Sequence, residues 1–229
     1  MRTAAILPVK SFARAKQRLS ASVDDRLRLA LAAAMVGDVL SALAATEAIA
    51  ATFVVTREPQ AGEAAAASGA TVIEDRSEAG QSAAALLGVR HALAEGFERV
   101  LCVPGDCPSL DPAELTVLLD GHAVDGPEIV VLPDRHGTGT NGLLLAPPQA
   151  IEPSFGPGSC DRHVALAAAA GVSCRVEQLP SLSLDVDTGA DLAALRDVLA
   201  GSDGRAPRTR AALELATAPA PGRSLAGRP

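Results

Sequence analysis

The sequence predicts a single α/β domain in which a mixed, mainly parallel sheet is flanked by helices. Three observations lead there. Apolar runs of strand length alternate with longer stretches of helical character from the first residues to about position 199. The 229 residues suit one large domain better than two small ones. Hydrophobic residues make up 48% of the chain but aromatics only 2%, so the core must be Leu, Val, Ile and Ala, which suits close packing of helices on a sheet.

Taken in order, residues 3–9 (TAAILPV) form the first strand and run into a basic loop. A long helix follows from Ser22 to Ala45, opened by the capping pattern Ser22-x-x-Asp25. Residues 51–56 make a second strand, 58–68 a short helix ended by Gly69, and 70–74 a third strand. A polar loop leads to a helix over 81–94. Residues 99–104 (RVLCVP) form a continuous apolar strand of the kind covered on both faces. Asp111-Pro112-x-Glu114 supplies N-cap, N1 proline and N3 acid for the next helix. Strands are expected at 128–133 and 142–146, and Ser159 or Asp161 is expected to cap an alanine-rich helix ending at Gly171. Short strands at 172–179 and 181–184 precede a helix to Leu199, capped by Thr188-x-x-Asp191. The domain is thus expected to span 1–200. Residues 201–229, rich in Pro, Gly, Arg and Ala, read as a flexible tail.

Charge narrows the class of partner. The chain carries a net −7, but residues 1–18 hold five cations and no acid, whereas residues 19–200 hold ten cations against 25 acids. An acidic body does not track nucleic acid, while a confined basic loop suits a small polyanion. No membrane span or cleavable signal is apparent, so a soluble cytoplasmic protein is expected. Cys102, Cys107, Cys160 and Cys174 form no CxxC pair and read as reduced, mostly buried thiols. His91 and His122 fall in helical or helix-end contexts on the surface. His136 lies beside a glycine-rich loop, and no His/Cys spacing suggests zinc.

In such sheets ligands sit beyond the carboxyl ends of the strands, and four segments fall there. After the first strand, Leu7-Pro8-Val9-Lys10 continues through Arg14, Lys16 and Arg18, enough cations to surround a triphosphate. The GxxxxGK[ST] pattern of a Walker loop is missing. After the 99–104 strand, Gly105-Asp106-Cys107 offers a carboxylate that serves either as an Mg²⁺ ligand or as a turn cap. In Asp185-Val186-Asp187, extended backbone would point both carboxylates to one side, toward one cation. Finally, Gly137-Thr138-Gly139-Thr140-Asn141-Gly142 and Phe155-Gly156-Pro157-Gly158-Ser159 collect backbone N–H groups, hydroxyls and a helix N-terminus suited to a second phosphate.

These segments carry a resemblance. The start LPVKxFxxAKxRL, the PGDCPSL turn, GTGTNGLLL, FGPGSxxRH and DVDTxxDL stand in order over residues 3–199. Together they resemble the guanylyltransferases of coenzyme F-420 biosynthesis, which join GMP from GTP to phosphoenolpyruvate or 2-phospholactate. The resemblance implies a nucleotide-diphospho-sugar transferase-like (GT-A, Rossmann-like) fold. It assigns Lys10, Arg14 and Lys16 to the triphosphate, with Leu7, Pro8, Gly80, Ser82 and Gly105 also at the nucleotide. Asp106 and Asp187, with Asp185 beside them, fall to Mg²⁺. Asn141, Gly156 and Ser159 match the acceptor pocket; Thr140 beside Asn141, and His163 one turn into the Ser159 helix, are candidates for the same pocket by position.

The chemistry agrees with the residue inventory. A phosphate monoester has a second pKa of about 6, so the acceptor is already a nucleophile at neutral pH and no protein base is needed. The FGPGS segment favours phosphoenolpyruvate over 2-phospholactate. A molybdopterin nucleotidyltransferase would want a glycine pair where Pro8-Val9-Lys10 stands, and a sugar-nucleotide enzyme some aromatic platform, yet Tyr and Trp are absent. A non-catalytic nucleotide-binding domain is the alternative from another class. A homodimer and hand-over of product to the next pathway enzyme stay open.

Overall fold

The computed structural model describes residues 1–121, 126–201 and 204–217. His122 and residues 218–229 therefore lie outside the described residues. The order of elements is β1 (Thr3–Val9), α1 (Asp25–Ala44), β2 (Ile49–Thr56), α2 (Pro59–Ala67), β3 (Thr71–Glu74), α3 (Gln81–Ala94) and β4 (Arg99–Cys102). There follow α4 (Pro112–Gly121), β5 (Glu128–Pro133), β6 (Thr140–Ala146), α5 (Ser159–Ala170), β7 (Ser173–Val176), α6 (Gly189–Ala200) and α7 (Pro207–Thr217).

The strands form one seven-stranded sheet in the order β3-β2-β1-β4-β6-β5-β7. Neighbours are parallel except around β6, which runs antiparallel to both β4 and β5. The chain winds from β1 outward to β3 and then returns to lay β4 on the other side of β1. The order therefore reverses between β1 and β4, which opens a crevice beyond their carboxyl ends. The basic loop and Asp106 leave the sheet at that crevice.

Alternation along β1 divides the core. Ala5, Leu7 and Val9 face α1 with Val36, Leu40 and Leu43, while Ala4 and Ile6 face α3 with Ala85 and Val89. Gly88 permits the close approach of α3: a Cβ there would lie 2.4 Å from Ile6 Cγ2.

Several local expectations are corrected. Asp24, not Ser22, caps α1 by accepting from the Leu27 N–H at 2.8 Å. Gly158 occupies the N-cap of α5 in left-handed backbone, so neither Ser159 nor Asp161 caps it. The segment expected as a strand at 181–184 is a 3₁₀ turn at Pro180–Leu182, where proline suits the first turn position. Thr188 and Asp191 do form the reciprocal capping box at the start of α6.

The largest correction concerns α1 and the tail. By length and composition α1 is apolar enough to cross a membrane, contrary to expectation, but 61% of its apolar stretch is buried inside the protein. Two layers cover it. Ala32, Val36, Val39 and Leu40 meet the sheet side, whereas Leu31 and Met35 join a cluster with Leu192 and Leu195 of α6 and Ala212 and Leu213 of α7. Residues 204–217 are thus part of the packed domain rather than a loose tail. The buried Asp38 of α1 anchors them: it accepts from the backbone N–H of Arg208 (3.1 Å), the N–H of Thr209 (2.8 Å) and the Thr209 hydroxyl (2.7 Å). Truncation after Gly201 should accordingly lower the melting temperature by several degrees. Asp38→Ala in the full chain should cost about 1–3 kcal/mol, because the α7 donors then lie buried without an acceptor. Thermal melts of both variants check this.

Candidate active site

A cleft of about 380 Å³ opens at the β1/β4 crevice, lined by Pro8, Lys10, Arg14, Lys16, Gly80, Gly105 and Asp106 among others. Its centre is an ionic triad. The Lys16 ammonium pairs with the Asp106 carboxylate, and with Asp187 Oδ1 at 2.7 Å. The Lys16 side chain is only 7% exposed. Burial opposes its charge, but the Asp106 and Asp187 carboxylates more than offset this and raise its pKa above the ordinary lysine value. Lys16 holds left-handed backbone (φ 55°), as does Glu78 (φ 44°) on the opposite wall. Such conformations are costly for side-chain-bearing residues and gather at functional sites. Arg14 reaches Glu78 at 3.6 Å with its side chain largely in solvent, so this pair spans the cleft mouth. Gly105 lets α1 approach: a Cβ there would stand 2.8 Å from Val36 Cγ2.

Asp106 and Asp187 are the carboxylates that could hold a divalent cation here. Asp106 Oδ2 and Asp187 Oδ1 converge on one ammonium, and Asp106 Oδ1 is buried with no hydrogen-bond partner. Among the described residues no three metal-type side chains are gathered. A hard ion here would thus draw its remaining ligands from water and phosphate oxygens. Asp185 is pulled aside: its Oδ1 accepts from Asn141 Nδ2 at 3.2 Å, and burial together with the nearby Asp106 pushes its pKa up. Val186 between the two acids points into the core, and its N–H donates to the Asp106 carbonyl, which ties the two acidic segments together.

Other site residues take different positions from those expected. Leu7 is fully buried in the core and does not face the cleft. The Asn141 amide nitrogen donates to Leu182 O (2.9 Å), Ser183 O (3.1 Å) and Asp185, so its NH2 group clamps the acidic loop. The Ser82 hydroxyl accepts from the Phe155 N–H at 2.8 Å, joining the start of α3 to the FGPGS loop and leaving the nucleotide side. Gly156 supports that loop with φ 110°, and Ser159 presents a fully buried Oγ with no hydrogen-bond partner at the first turn of α5.

His163 also moves out of the pocket. Its Nε2 accepts from the Ser154 N–H at 2.9 Å, which leaves the proton on Nδ1 to be donated to Thr140 Oγ1 at 3.1 Å. Both ring nitrogens of the buried imidazole are therefore committed, and the Thr140 oxygen accepts one of these bonds. His136 is exposed and accepts from Arg135 Nε at 3.1 Å. The sequence reading missed Glu78, and it also missed Arg28 and Glu58, which bind the backbone of the basic loop. No motif marks them: Arg28 and Glu58 look like ordinary charges on or beside a helix, and Glu78 like one charge of a polar loop.

A doubly wound sheet with cations after β1 and carboxylates after β4 and before α6 is the arrangement of a nucleotidyltransferase. A structure named as a nucleotide-diphospho-sugar transferase from Desulfovibrio desulfuricans superposes with a TM-score of 0.74 at 18% identity, covering 94% of this chain and 95% of that one. The family model described as Guanylyl transferase CofC like matches residues 3–222. Two relatives, from Conexibacter woesei and Streptomyces coelicolor, are each named phosphoenolpyruvate guanylyltransferase. The first is 47% identical over 93% of this chain and 96% of its own, the second 42% over 90% and 93%. The chain belongs to the CofC-like guanylyltransferase family.

The His163 arrangement generates a pH prediction. Burial, with Arg162 adding to it, pushes the imidazole pKa down to about 4 from 6.5. Between those values the unfolded chain takes up a proton that the native protein refuses, so stability is full above about pH 6.5 and falls as the pH drops toward 4. The loss should approach about 3 kcal/mol. His163→Gln should flatten that limb in urea melts run at pH 4.5 and 7.5.

Proposed function

We propose that this enzyme transfers GMP from GTP to the phosphate of phosphoenolpyruvate, releasing pyrophosphate, and that it works in the cytoplasm with Mg²⁺. The carrying observation is the triad of Lys16, Asp106 and Asp187 at the β1/β4 crevice, joined with the relatives' shared name. Asp106, with its unpartnered Oδ1, and Asp187 would hold the metal. When bound, the ion offsets charge on the phosphates and the leaving pyrophosphate.

This chain's own residues do the rest. Lys10 and Arg14, at the cleft mouth, attract and orient the triphosphate, and Lys16 balances charge as it builds on the leaving group. An acceptor phosphate oxygen forms a bond to the α-phosphorus of GTP while the bond from that phosphorus to the bridging oxygen breaks. No proton has to be removed by the protein. That agrees with a His163 whose two nitrogens are already used. The first turn of α5, with the unpartnered Ser159 hydroxyl, and Gly156 are the acceptor side of the cleft in this reading.

Mass-spectrometric detection of products from GTP, Mg²⁺ and either phosphoenolpyruvate or 2-phospholactate tests the acceptor directly. A product formed only from 2-phospholactate would overturn the choice of acid. Asp106→Asn should keep the fold yet lower turnover by at least about two orders of magnitude. The pH profile of kcat/KM should rise through the acceptor's ionisation near about pH 6 and then level off. That limb should survive in His136→Ala; its disappearance there would require a protein base.

A further inference from the structure

We propose that Arg28, outside the cleft on α1, is the positioning residue that holds Lys16 in register with Asp106 and Asp187. The proposal rests on the reading of Lys16 as the cation at the transferring phosphates. Arg28 is 95% buried, an unusual place for a guanidinium. Its Nη1 donates to two carbonyls of the basic loop, Phe12 O at 3.1 Å and Ala15 O at 2.7 Å, while Nε donates to Asp25 at 3.1 Å. The Ala15 carbonyl belongs to the peptide that leads into Lys16, the residue with φ 55°. A left-handed, non-glycine residue persists only where its surroundings hold it. The bond from Arg28 fixes the peptide plane on one side of that turn, and the Leu19 N–H, donating to Lys16 O at 2.9 Å, fixes the other.

The loop is gripped at one further point. Glu58, at the start of α2, accepts from the Phe12 N–H at 2.8 Å, and the Phe12 side chain is itself in the core. Phe12 is thus held from α1 through its carbonyl and from α2 through its amide. Between Phe12 and Lys16 the Ala15 carbonyl is the point at which Arg28 sets the direction of the following side chain. Without that bond the peptide before Lys16 is free to rotate toward ordinary backbone, which would swing the ammonium out from between the carboxylates. A positioning role fits better than a purely structural one because the guanidinium fork spends two of its bonds on this loop and one on its own helix.

The chain offers an internal gauge. Its only two lysines are Lys10 and Lys16, both on this loop, and Lys10 is exposed whereas Lys16 is buried. Brief acylation with acetic anhydride, read by peptide mass spectrometry on the unliganded protein, should label Lys10 and spare Lys16. In Arg28→Gln, labelling of Lys16 should rise at least about tenfold, by the logic that a protected group reacts in proportion to its open population, while Lys10 stays constant. Protection of Lys16 in a folded Arg28→Gln protein overturns the proposal, and it does so whatever the substrate proves to be.

Kinetics supply the second arm and serve if Arg28→Gln fails to fold. Arg28→Lys keeps a charge, but its ammonium ends one bond short of the position of Nη1 that binds both carbonyls, so it should expose Lys16 to label and lower kcat by about tenfold, with the acceptor KM unchanged. Residues acting as one unit are non-additive, so Arg28→Lys with Lys16→Met should be no slower than Lys16→Met alone. Losses that multiply in the double variant, or a wild-type kcat in Arg28→Lys beside a slow Lys16→Met, would overturn the role. A fully active Lys16→Met would instead overturn the function assigned to Lys16, leaving the labelling result to decide the role of Arg28.

Discussion

A single buried ammonium ties the functional end of this molecule together. Lys16 reaches across 90 residues to Asp106 and across 171 to Asp187, so three loops from separate crossovers meet at one nitrogen. Two carboxylates brought to one point repel each other, and the buried ammonium between them offsets that repulsion. One negative charge is left over at the triad. Everything nearby serves to keep the three loops in reach: the Val186 bond to the Asp106 carbonyl, the Asn141 clamp on residues 182–185, and the grip of Arg28 and Glu58 on the basic loop.

The loops around the start of α5 are tied mainly to backbone. Ser82 bonds Phe155, His163 bridges Thr140 and Ser154, the Arg162 guanidinium donates to the carbonyls of Ser154, Phe155 and Pro157, and Asp134 accepts from the 136–139 backbone. Several side chains that look like ligands by residue type serve here as joinery. The Ser82 and Thr140 oxygens each accept one such bond, and both ring nitrogens of His163 are used. The exception is Ser159, whose hydroxyl is buried and unpartnered at the first turn of α5.

The sequence reveals elements through period and punctuation, and these were legible wherever one signal dominated. The limits of α3 and β5 and the Thr188–Asp191 capping box all follow from local pattern. The cations after β1 and the acids at 106 and 187 were legible too, because charge directly after an apolar strand has few structural uses. What escaped was what depends on partners far along the chain. Arg28 looks like any helix-surface arginine until the loop folds over it, and Asn141 looks like a pocket residue until the acidic segment lies against it. The docking of α7 had an unread signal in α1 itself. Leu31 and Met35 sit on the side opposite Val36 and Leu40, and a helix apolar on both sides needs two covers.

That second cover arrives last. On the ribosome α1 is complete by residue 44, yet the helix that shields its outer face begins at Pro207. At about 5–20 residues per second, the intervening stretch takes on the order of ten to thirty seconds to emerge. Throughout that interval Leu31 and Met35 lack their final shield, and the buried Asp38 lacks the donors that neutralise it. The nascent chain thus passes through a stage in which the 20-residue α1 is half clothed, and its native packing is sealed only when α7 leaves the exit tunnel.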